Sequence, residues 1–317
     1  MKAAGFVALC LVVALVSVAP SRADTPFLKL TSHDLTSSEG LTYRIIVAPP
    51  VGPAPASGYP VIYVMDGNAW APLFAEVIRT NLDFGTRSKV KPAVVVGIGY
   101  PIAGTFDMTR RDWDLTTPTS VEADKAGNRV GGYEAMARFI EQRVKPDIEK
   151  RFSIDRKRQT LAGHSLGGLF TLRTLMNHPD AFQNYVAMSP SIWWNDAALL
   201  KEAAALKPTP SQLAAHVYIG VGELEQYWTP AYRAEVEVQM RAEVAADPAL
   251  LGGKSIDAYL ADIADMSSSK MVDNARAMAK ILGEKGLDVR FDLFPDEDHF
   301  SVLPSQIGRA IPFVLRK

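Results

Sequence analysis

The stretch Thr160-Leu161-Ala162-Gly163-His164-Ser165-Leu166-Gly167-Gly168-Leu169-Phe170 predicts a strand, a sharp turn and a helix. Glycines stand two residues before and two residues after Ser165, in the pattern G-x-S-x-G. A turn this tight strains the serine backbone and brings the two flanking positions nearly into contact, so only residues without a side chain fit there. The surrounding sequence predicts a strand at 158–162 and a helix at 169–176. The serine hydroxyl should therefore stand exposed at the end of a strand.

The strand–turn–helix setting favours Ser165 as a catalytic nucleophile, because the G-x-S-x-G motif requires that setting. The backbone N–H of Leu166 would then point at the oxygen that the serine attacks. The alternative is that Ser165 only caps the helix, beside two glycines that serve packing.

A serine hydroxyl is a weak nucleophile at neutral pH and needs a base. Of the five histidines, only His299 follows the last predicted strand, 288–294, in a loop. In a parallel sheet that loop lies at the same edge as Ser165, which makes His299 the candidate base. The alternative is a solvated histidine in an acidic loop.

The acid that orients the base should follow a strand between the serine and the histidine in sequence. Glu223 and Glu225 both follow the predicted strand 216–222. Glu225 is preferred because it lies farther past the strand end and can turn back towards the histidine, whereas Glu223 can cap or solvate the turn. Asp298 is a third option, but an immediate neighbour seldom reaches the outer ring nitrogen of the next residue.

An oxyanion hole needs a second N–H besides that of Leu166. Gly67 or Asn68, in the loop after the predicted strand 59–65, can supply it. The alternative is that Asp66-Gly67-Asn68 is an ordinary turn.

Bulky and cationic residues follow two further strand ends. Trp193 and Trp194 either line a pocket for a planar substrate or fill the core. Arg110 and Arg111 either clamp an anionic substrate or pair with neighbouring aspartates.

Apolar, β-branched runs alternate with helical stretches along the chain, which predicts an α/β fold with a doubly wound, mainly parallel sheet. A first pair of strands is expected at 28–32 and 41–47. The helical, polar stretch at about 230–269, broken at Gly252-Gly253, predicts an insertion that partly covers the site. Pro146 should bend the helix predicted at 132–152.

The N-terminus has the features of a signal peptide: Lys2, an apolar run at 6–18, and Ser21-Arg22-Ala23 as a cleavage site. Cleavage is expected after Ala23, leaving residues 24–317 as one α/β domain in the periplasm or outside the cell. The alternative is an uncleaved N-terminal anchor. After cleavage, no stable membrane anchor is expected.

Composition narrows the classes of function. The chain is 48% hydrophobic and 22% charged, with a formal net charge of −1 and a single cysteine, Cys10, inside the predicted signal peptide. A disulfide framework and a thiolate metal site are therefore not expected, and neither a metal nor another cofactor is predicted. Without a basic tract, a nucleic-acid partner is not expected either.

The motifs together resemble one family. They comprise residues 61–69, Arg111-Asp112, the tight turn around Ser165 at 163–168 (the elbow), the run Met188-Ser189-Pro190-Ser191-Ile192-Trp193-Trp194, residues 222–225, and His299. This set is similar to the esterase D-like branch of the α/β-hydrolases, and most similar to siderophore esterases of the ferri-enterobactin, salmochelin and ferri-bacillibactin type. The resemblance spans about residues 41–315.

The resemblance implies an α/β-hydrolase fold and a serine carboxylic-ester hydrolase acting on catecholate trilactones, with a small-molecule siderophore as partner. It carries Ser165 over as nucleophile and His299 as base. Some members are described as using a serine–histidine pair without a firm acid, so Glu225 is not fixed by it. The insertion matches no motif and leaves the substrate open. The alternatives are a general short-chain carboxylesterase or acyl hydrolase, and a catalytically inactive binding protein of the same fold.

Overall fold

The computed structural model describes residues 29–83, 90–125, 127–264 and 269–316, without the side chains of 262–264. The predicted signal peptide, 1–23, and its cleavage site lie outside the described residues. Within the described ranges, no helix is both long and apolar enough to cross a membrane.

The described residues form one central sheet of eight strands, in the spatial order β1-β2-β4-β3-β5-β6-β7-β8. The strands are β1 (Thr31–Thr36), β2 (Thr42–Ala48), β3 (Tyr59–Met65), β4 (Val94–Gly99), β5 (Ile154–His164), β6 (Asn184–Met188), β7 (His216–Gly222) and β8 (Asp288–Phe294). The pairs β1–β2 and β2–β4 are antiparallel, and all other neighbours are parallel. The predicted, mainly parallel α/β sheet is confirmed, and the architecture is that of an α/β-hydrolase.

Helices cover both faces of the sheet. They are α1 (Gly67–Asp83), α2 (Met108–Leu115), α3 (Glu122–Lys125), α4 (Tyr133–Phe139), α5 (Lys145–Arg151), α6 (Leu166–Asn177), α7 (Trp194–Ala205), α8 (Pro210–Leu213), α9 (Pro230–Ala246), α10 (Ile256–Ala264), α11 (Met271–Glu284) and α12 (Leu303–Val314). Apolar side chains of α1 and α12 form the core on one face, and those of α4, α6, α7 and α11 form it on the other. Central strands buried on both faces explain the nearly unbroken apolar runs in the sequence.

The winding of the sheet reverses around β3, which lies between β4 and β5. The chain crosses from β3 to β4 in one direction and then returns from β4, past β3, to β5 in the other. Such a switch point opens a crevice beyond the carboxyl ends of the strands, where ligands bind in open α/β sheets. Ser165 follows β5, and Asp66 follows β3, at this edge.

Two helical regions depart in detail from the predictions. The helix predicted at 132–152 is α4, one wide π turn (Ile140–Val144) and α5. The wide turn ends two residues before Pro146, which lies in the first turn of α5; the interior of an α-helix would not accommodate its missing N–H and bulky ring. Helix α2 lies in a polar stretch for which no helix was predicted, and the Asp107 side chain caps it by accepting from the Arg110 N–H.

Helices form most of the described stretch between β7 and β8. It contains α9, a short 3-10 turn (Pro248–Leu251) and α10, and Gly252 ends the turn in the left-handed conformation. Only Val244 of α9 is buried, so this helix lies largely on the surface. At its start, the Tyr232 hydroxyl lies 3.4 Å from a carboxylate oxygen of Asp298, which places this end beside the His299 loop.

Candidate active site

The turn between β5 and α6 has the close approach that the sequence predicts. A Cβ on Gly163 would lie 2.3 Å from the backbone oxygen of Gly167, a distance that requires a glycine. Ser165, between them, has φ 59° and ψ −118°, a strained conformation for a residue with a side chain. The local geometry therefore presents the serine at the tip of a constrained turn.

The Ser165 side chain does not cap α6, although the residue occupies the N-cap position. Its hydroxyl oxygen lies 3.2 Å from the hydroxyl oxygen of Ser191, which is buried. Ser165 itself is half-buried and so is reachable from solvent. Within the described residues, the Ser165 hydroxyl therefore forms its hydrogen bond with Ser191 and not with the His299 ring.

The His299 ring reaches the same edge from the loop after β8 and bonds to Glu225. Its Nδ1 donates to Glu225 Oε2 at 2.6 Å, and the Glu225 side chain is 1% exposed against 31% for His299. The other oxygen, Oε1, accepts from the Ser189 hydroxyl and from the Gly222 N–H, both at 2.6 Å. A carboxylate held on both oxygens fixes the ring with Nε2 as its free nitrogen.

Backbone contacts explain why Glu225, and not Glu223 or Asp298, meets the ring. The Leu224 N–H donates to the Glu297 carbonyl at 3.0 Å and so ties the turn after β7 to the histidine loop. Asp298 instead accepts from the backbone N–H groups of Phe300 and Ser301, each at 2.9 Å. Its side chain therefore caps its own turn.

His164, the residue before Ser165, also contacts His299. Its Nε2 donates to the His299 carbonyl oxygen at 2.8 Å, and the two ring centroids are 4.3 Å apart. Burial holds the pKa of His164 well below its ordinary value, and the nearby His299 lowers it further. His164 is therefore a neutral donor at neutral pH.

The loop after β3 is fixed by a buried ion pair. Arg111 donates to Asp66 through Nε, 3.1 Å from Oδ1, and through Nη2, 3.0 Å from Oδ2. Burial opposes the charge on Arg111, but the Asp66 carboxylate raises the pKa of the guanidinium overall. The partner of Arg111 is thus Asp66, far away in sequence, and not a neighbouring aspartate; Arg111 lies buried behind the loop and offers no exposed cation to a substrate.

The candidate oxyanion donors stand at helix starts. Leu166 is the first residue of α6, and Gly67 and Asn68 are the first two of α1, where N–H groups have no acceptor within their own helix. The Asn68 side chain accepts from the Tyr100 N–H at 2.8 Å and donates to the Tyr100 carbonyl at 3.0 Å. It thereby fixes the start of α1 against the loop after β4.

The adjacent tryptophans have different surroundings. Trp194 is 3% exposed and its indole N–H donates to the Thr117 carbonyl at 3.1 Å, so it fills the core. Trp193 is half-buried and packs against the same core, with part of its ring accessible. Of the two, only Trp193 offers surface to a ligand.

Three polar side chains around the site were not singled out from the sequence: Ser189, Ser191 and Gln306. Gln306 donates to the Ser189 hydroxyl at 3.0 Å, which in turn donates to Glu225. The two serines stand in the run 188–194, which contributed to the family resemblance, so the signal was present. Gln306 lies on α12, and no motif in the sequence around it marks it as part of the site.

A cavity of about 460 Å³ lies at the other end of α6, lined among others by Phe170, Thr174 and His178. Ser165 precedes the opposite end of this helix, so the cavity does not belong to the site. Among the described residues, no cluster of three or more His, Cys, Asp or Glu side chains is arranged to hold a metal.

The comparisons with known proteins all point to the same family. The model of the family described as "Putative esterase" matches residues 38–254. The ferri-bacillibactin esterase BesA of Bacillus subtilis is 36% identical over 88% of this chain and 86% of its own length. The siderophore triacetylfusarinine C esterase of Aspergillus fumigatus is 31% identical over 80% of each chain.

Solved structures agree with the sequence relatives. The BES protein of Bacillus cereus superposes with a TM-score of 0.72 at 29% identity, covering 99% of this chain and all of its own. These relatives bear out the predicted resemblance to the esterase D-like branch near the siderophore esterases. The chain therefore belongs to the "Putative esterase" family of α/β-hydrolases and is a carboxylic-ester hydrolase.

Proposed function

We propose that this chain hydrolyses the ester bonds of catecholate siderophore trilactones, using Ser165, His299 and Glu225. The observation that carries the substrate class is the 36% identity to a ferri-bacillibactin esterase over nearly the whole of both chains. The placement of His299 on Glu225 beside the Ser165 turn supports the chemistry.

The reaction begins when the Ser165 hydroxyl turns from Ser191 to the free Nε2 of His299. His299 takes the hydroxyl proton as Ser165 Oγ forms a bond to the ester carbonyl carbon. Glu225 accepts from Nδ1–H throughout and stabilises the imidazolium.

The charge on the carbonyl oxygen is held by backbone N–H groups. Leu166 supplies one donor, and Gly67 or Asn68 supplies the other. The Asp66–Arg111 ion pair keeps in place the loop after β3, from which Gly67 begins α1. In this proposal Arg111 supports the oxyanion loop from behind, and Trp193 is the tryptophan that contacts substrate.

The tetrahedral intermediate collapses as His299 gives its proton to the leaving alkoxide, which departs as an alcohol. An acyl group then remains on Ser165. His299 next removes a proton from water, whose oxygen attacks the acyl carbon, and the proton returns to Ser165 as the acid leaves. A lactone ring is opened by this sequence, and iron would be substrate cargo only.

Purified protein incubated with ferric and iron-free catecholate trilactones tests the proposal. Linear products should appear by mass spectrometry, and Ser165→Ala should reduce turnover by at least roughly 10⁴-fold. If simple short-chain aryl esters are hydrolysed while both trilactones stay closed, the chain is a general short-chain carboxylesterase or acyl hydrolase instead. Full activity in Ser165→Ala would overturn the nucleophile assignment.

The inactive-binder alternative predicts a different result. A fluorophosphonate probe should label the wild-type protein at Ser165 and leave Ser165→Ala unlabelled. Failure to label correctly folded wild-type protein would favour a binding protein of the same fold.

We also propose that the chain is exported to the periplasm or secreted, from the pattern at residues 2–23. N-terminal sequencing of the protein recovered from its producing cells should begin at Asp24. A start at Met1 would support the uncleaved anchor.

A further inference from the structure

His164 contacts the base that acts on its neighbouring serine. Its Nε2 lies 2.8 Å from the His299 carbonyl oxygen, and its ring lies 4.3 Å from the His299 ring, centroid to centroid. The Trp70 ring stands edge-on to His164, with centroids 5.5 Å apart. His164 itself is 2% exposed, so it is confined between the elbow and the histidine loop.

The bond to a carbonyl defines the protonation of His164. A carbonyl oxygen only accepts, so Nε2 carries the proton. Burial lowers the pKa of His164 well below the ordinary histidine value, and the neighbouring His299 and Arg111 lower it further. A neutral ring leaves Nδ1 without a proton and adds no positive charge beside the imidazolium that forms on His299.

We propose that His164 is a positioning residue for the catalytic base. Its Nε2–H holds the main chain of His299, while Glu225 holds the side chain through Nδ1. With the residue held at both points, Nε2 of His299 is directed to one place beside Ser165. The proposal rests on the assignment of Ser165 and His299 as nucleophile and base.

The contact matters because the base lies far from the nucleophile in sequence and sits on a loop. His164 is the last residue of β5 and directly precedes Ser165. Its hydrogen bond therefore ties the histidine loop to the same rigid strand end that carries the nucleophile. Catalytic groups need to be held within about 0.5 Å of their productive geometry. A displacement of about 1 Å can cost roughly 100-fold in rate.

Two substitutions distinguish the contribution of the His164 hydrogen-bond donor from that of its aromatic ring. His164→Phe keeps an aromatic ring but removes the donor, and His164→Gln keeps a donor at the Nε2 position without the ring. We expect His164→Phe to lose about 10- to 100-fold in kcat, with KM changed less than about threefold. His164→Gln should recover to within about fivefold of wild type.

The leaving group supplies a readout that general loss of packing would not move. An alkoxide leaving group needs the proton of His299 more than p-nitrophenolate does. His164→Phe should therefore lose at least about fivefold more activity on an alkyl ester than on a p-nitrophenyl ester with the same acyl group. Equal losses on both esters, or equal impairment of folded His164→Gln and His164→Phe, would overturn the proposal.

A spectroscopic measurement on the native protein does not depend on any variant being active. In ¹⁵N-histidine-labelled protein, the ring signals absent from His164→Gln belong to His164. They should show a neutral ring protonated at Nε2, unchanged between pH 7 and pH 6. A cationic ring or an Nδ1–H form would refute the proposal, whereas Ser165→Ala tests the underlying nucleophile assignment separately.

Discussion

Glu225 is the residue whose surroundings most narrowly define its role. One carboxylate oxygen accepts from Ser189 and Gly222, which leaves the other for Nδ1 of His299. Because Nδ1 donates, the lone pair of His299 must lie on Nε2, the nitrogen that takes the serine proton in the proposed mechanism. Glu225 therefore selects the tautomer of the His299 ring as well as its orientation.

Glu225→Gln should lower kcat by about 10³- to 10⁴-fold with little change in fold. The carboxamide oxygen would keep the two donors on Oε1, and its NH₂ would face Nδ1 of His299. The ring would then carry its proton on Nε2, where it cannot accept one from Ser165. Steady-state kinetics with an aryl ester measure the effect, and circular dichroism checks the fold.

Glu223→Gln is the matched control, because it makes the same chemical change two residues earlier in the same turn. We expect its kcat to stay within about twofold of wild type. If Glu223→Gln were the impaired variant, or if Glu225→Gln kept full activity, the assignment of the acid would be wrong. The second result would indicate a serine–histidine pair acting alone.

At the scale of elements, the β5–α6 turn depends on the contact between Gly163 and Gly167. The carbonyl of Gly167 occupies the space that a Cβ on Gly163 would need. The neighbour in this contact is backbone of the first turn of α6, which cannot rotate away as a flexible side chain would. The position of Ser165 is thus coupled to the packing of β5 against α6.

Gly163→Ala should lower the free energy of unfolding by about 1–3 kcal/mol and reduce activity, because β5 and α6 must move apart. Urea unfolding followed by fluorescence gives the first quantity. The control is Gly308→Ala in the middle of α12, where a Cβ meets no atom within 4 Å. It should raise the free energy of unfolding by about 0.5–1 kcal/mol; a loss of similar size in both variants would contradict the steric argument.

At the scale of the whole molecule, a buried carboxyl makes stability depend on pH. Asp114 is 1% exposed, accepts from the Tyr43 hydroxyl at 2.7 Å, and lies 4.0 Å from Arg110. Burial raises its pKa to about 6. The ordinary value in an unfolded chain is about 3.9, so folding takes up a proton between these two pH values.

The direction of the effect follows from that uptake. Below about pH 4 the carboxyl is protonated in both states, and above about pH 6 it is ionised in both. In between, the folded state binds the proton more tightly, so the contribution of Asp114 to the free energy of unfolding falls as pH rises. At neutral pH the buried charge costs stability.

Asp114→Asn should therefore gain stability relative to wild type as pH rises. The difference in free energy of unfolding, variant minus wild type, should increase by about 1–3 kcal/mol from pH 4.5 to pH 7. Urea titrations of both proteins at the two pH values measure it. A difference that is constant or that decreases with pH would show that Asp114 does not titrate as described.

The sequence by itself determined the sheet, the elbow and the candidate nucleophile and base. Strands such as β3 and β4 can be predicted from the sequence because burial on both faces demands unbroken apolar runs. Ser165 is readable because its turn requires glycines at fixed spacing, which is a purely local constraint. His299 is readable because all parallel strands after β3 end at one edge, so a loop after the last strand must reach it.

Only the tertiary structure decided which polar groups meet there. The bond of His164 to His299, the ion pair of Arg111 with Asp66, and the support of Glu225 by Gln306 through Ser189 each join distant segments. Their partners are set by how helices and loops pack across the sheet edge. Local sequence fixes backbone conformation over a few residues, whereas hydrogen-bond partners far apart in the chain depend on the geometry of the completed fold.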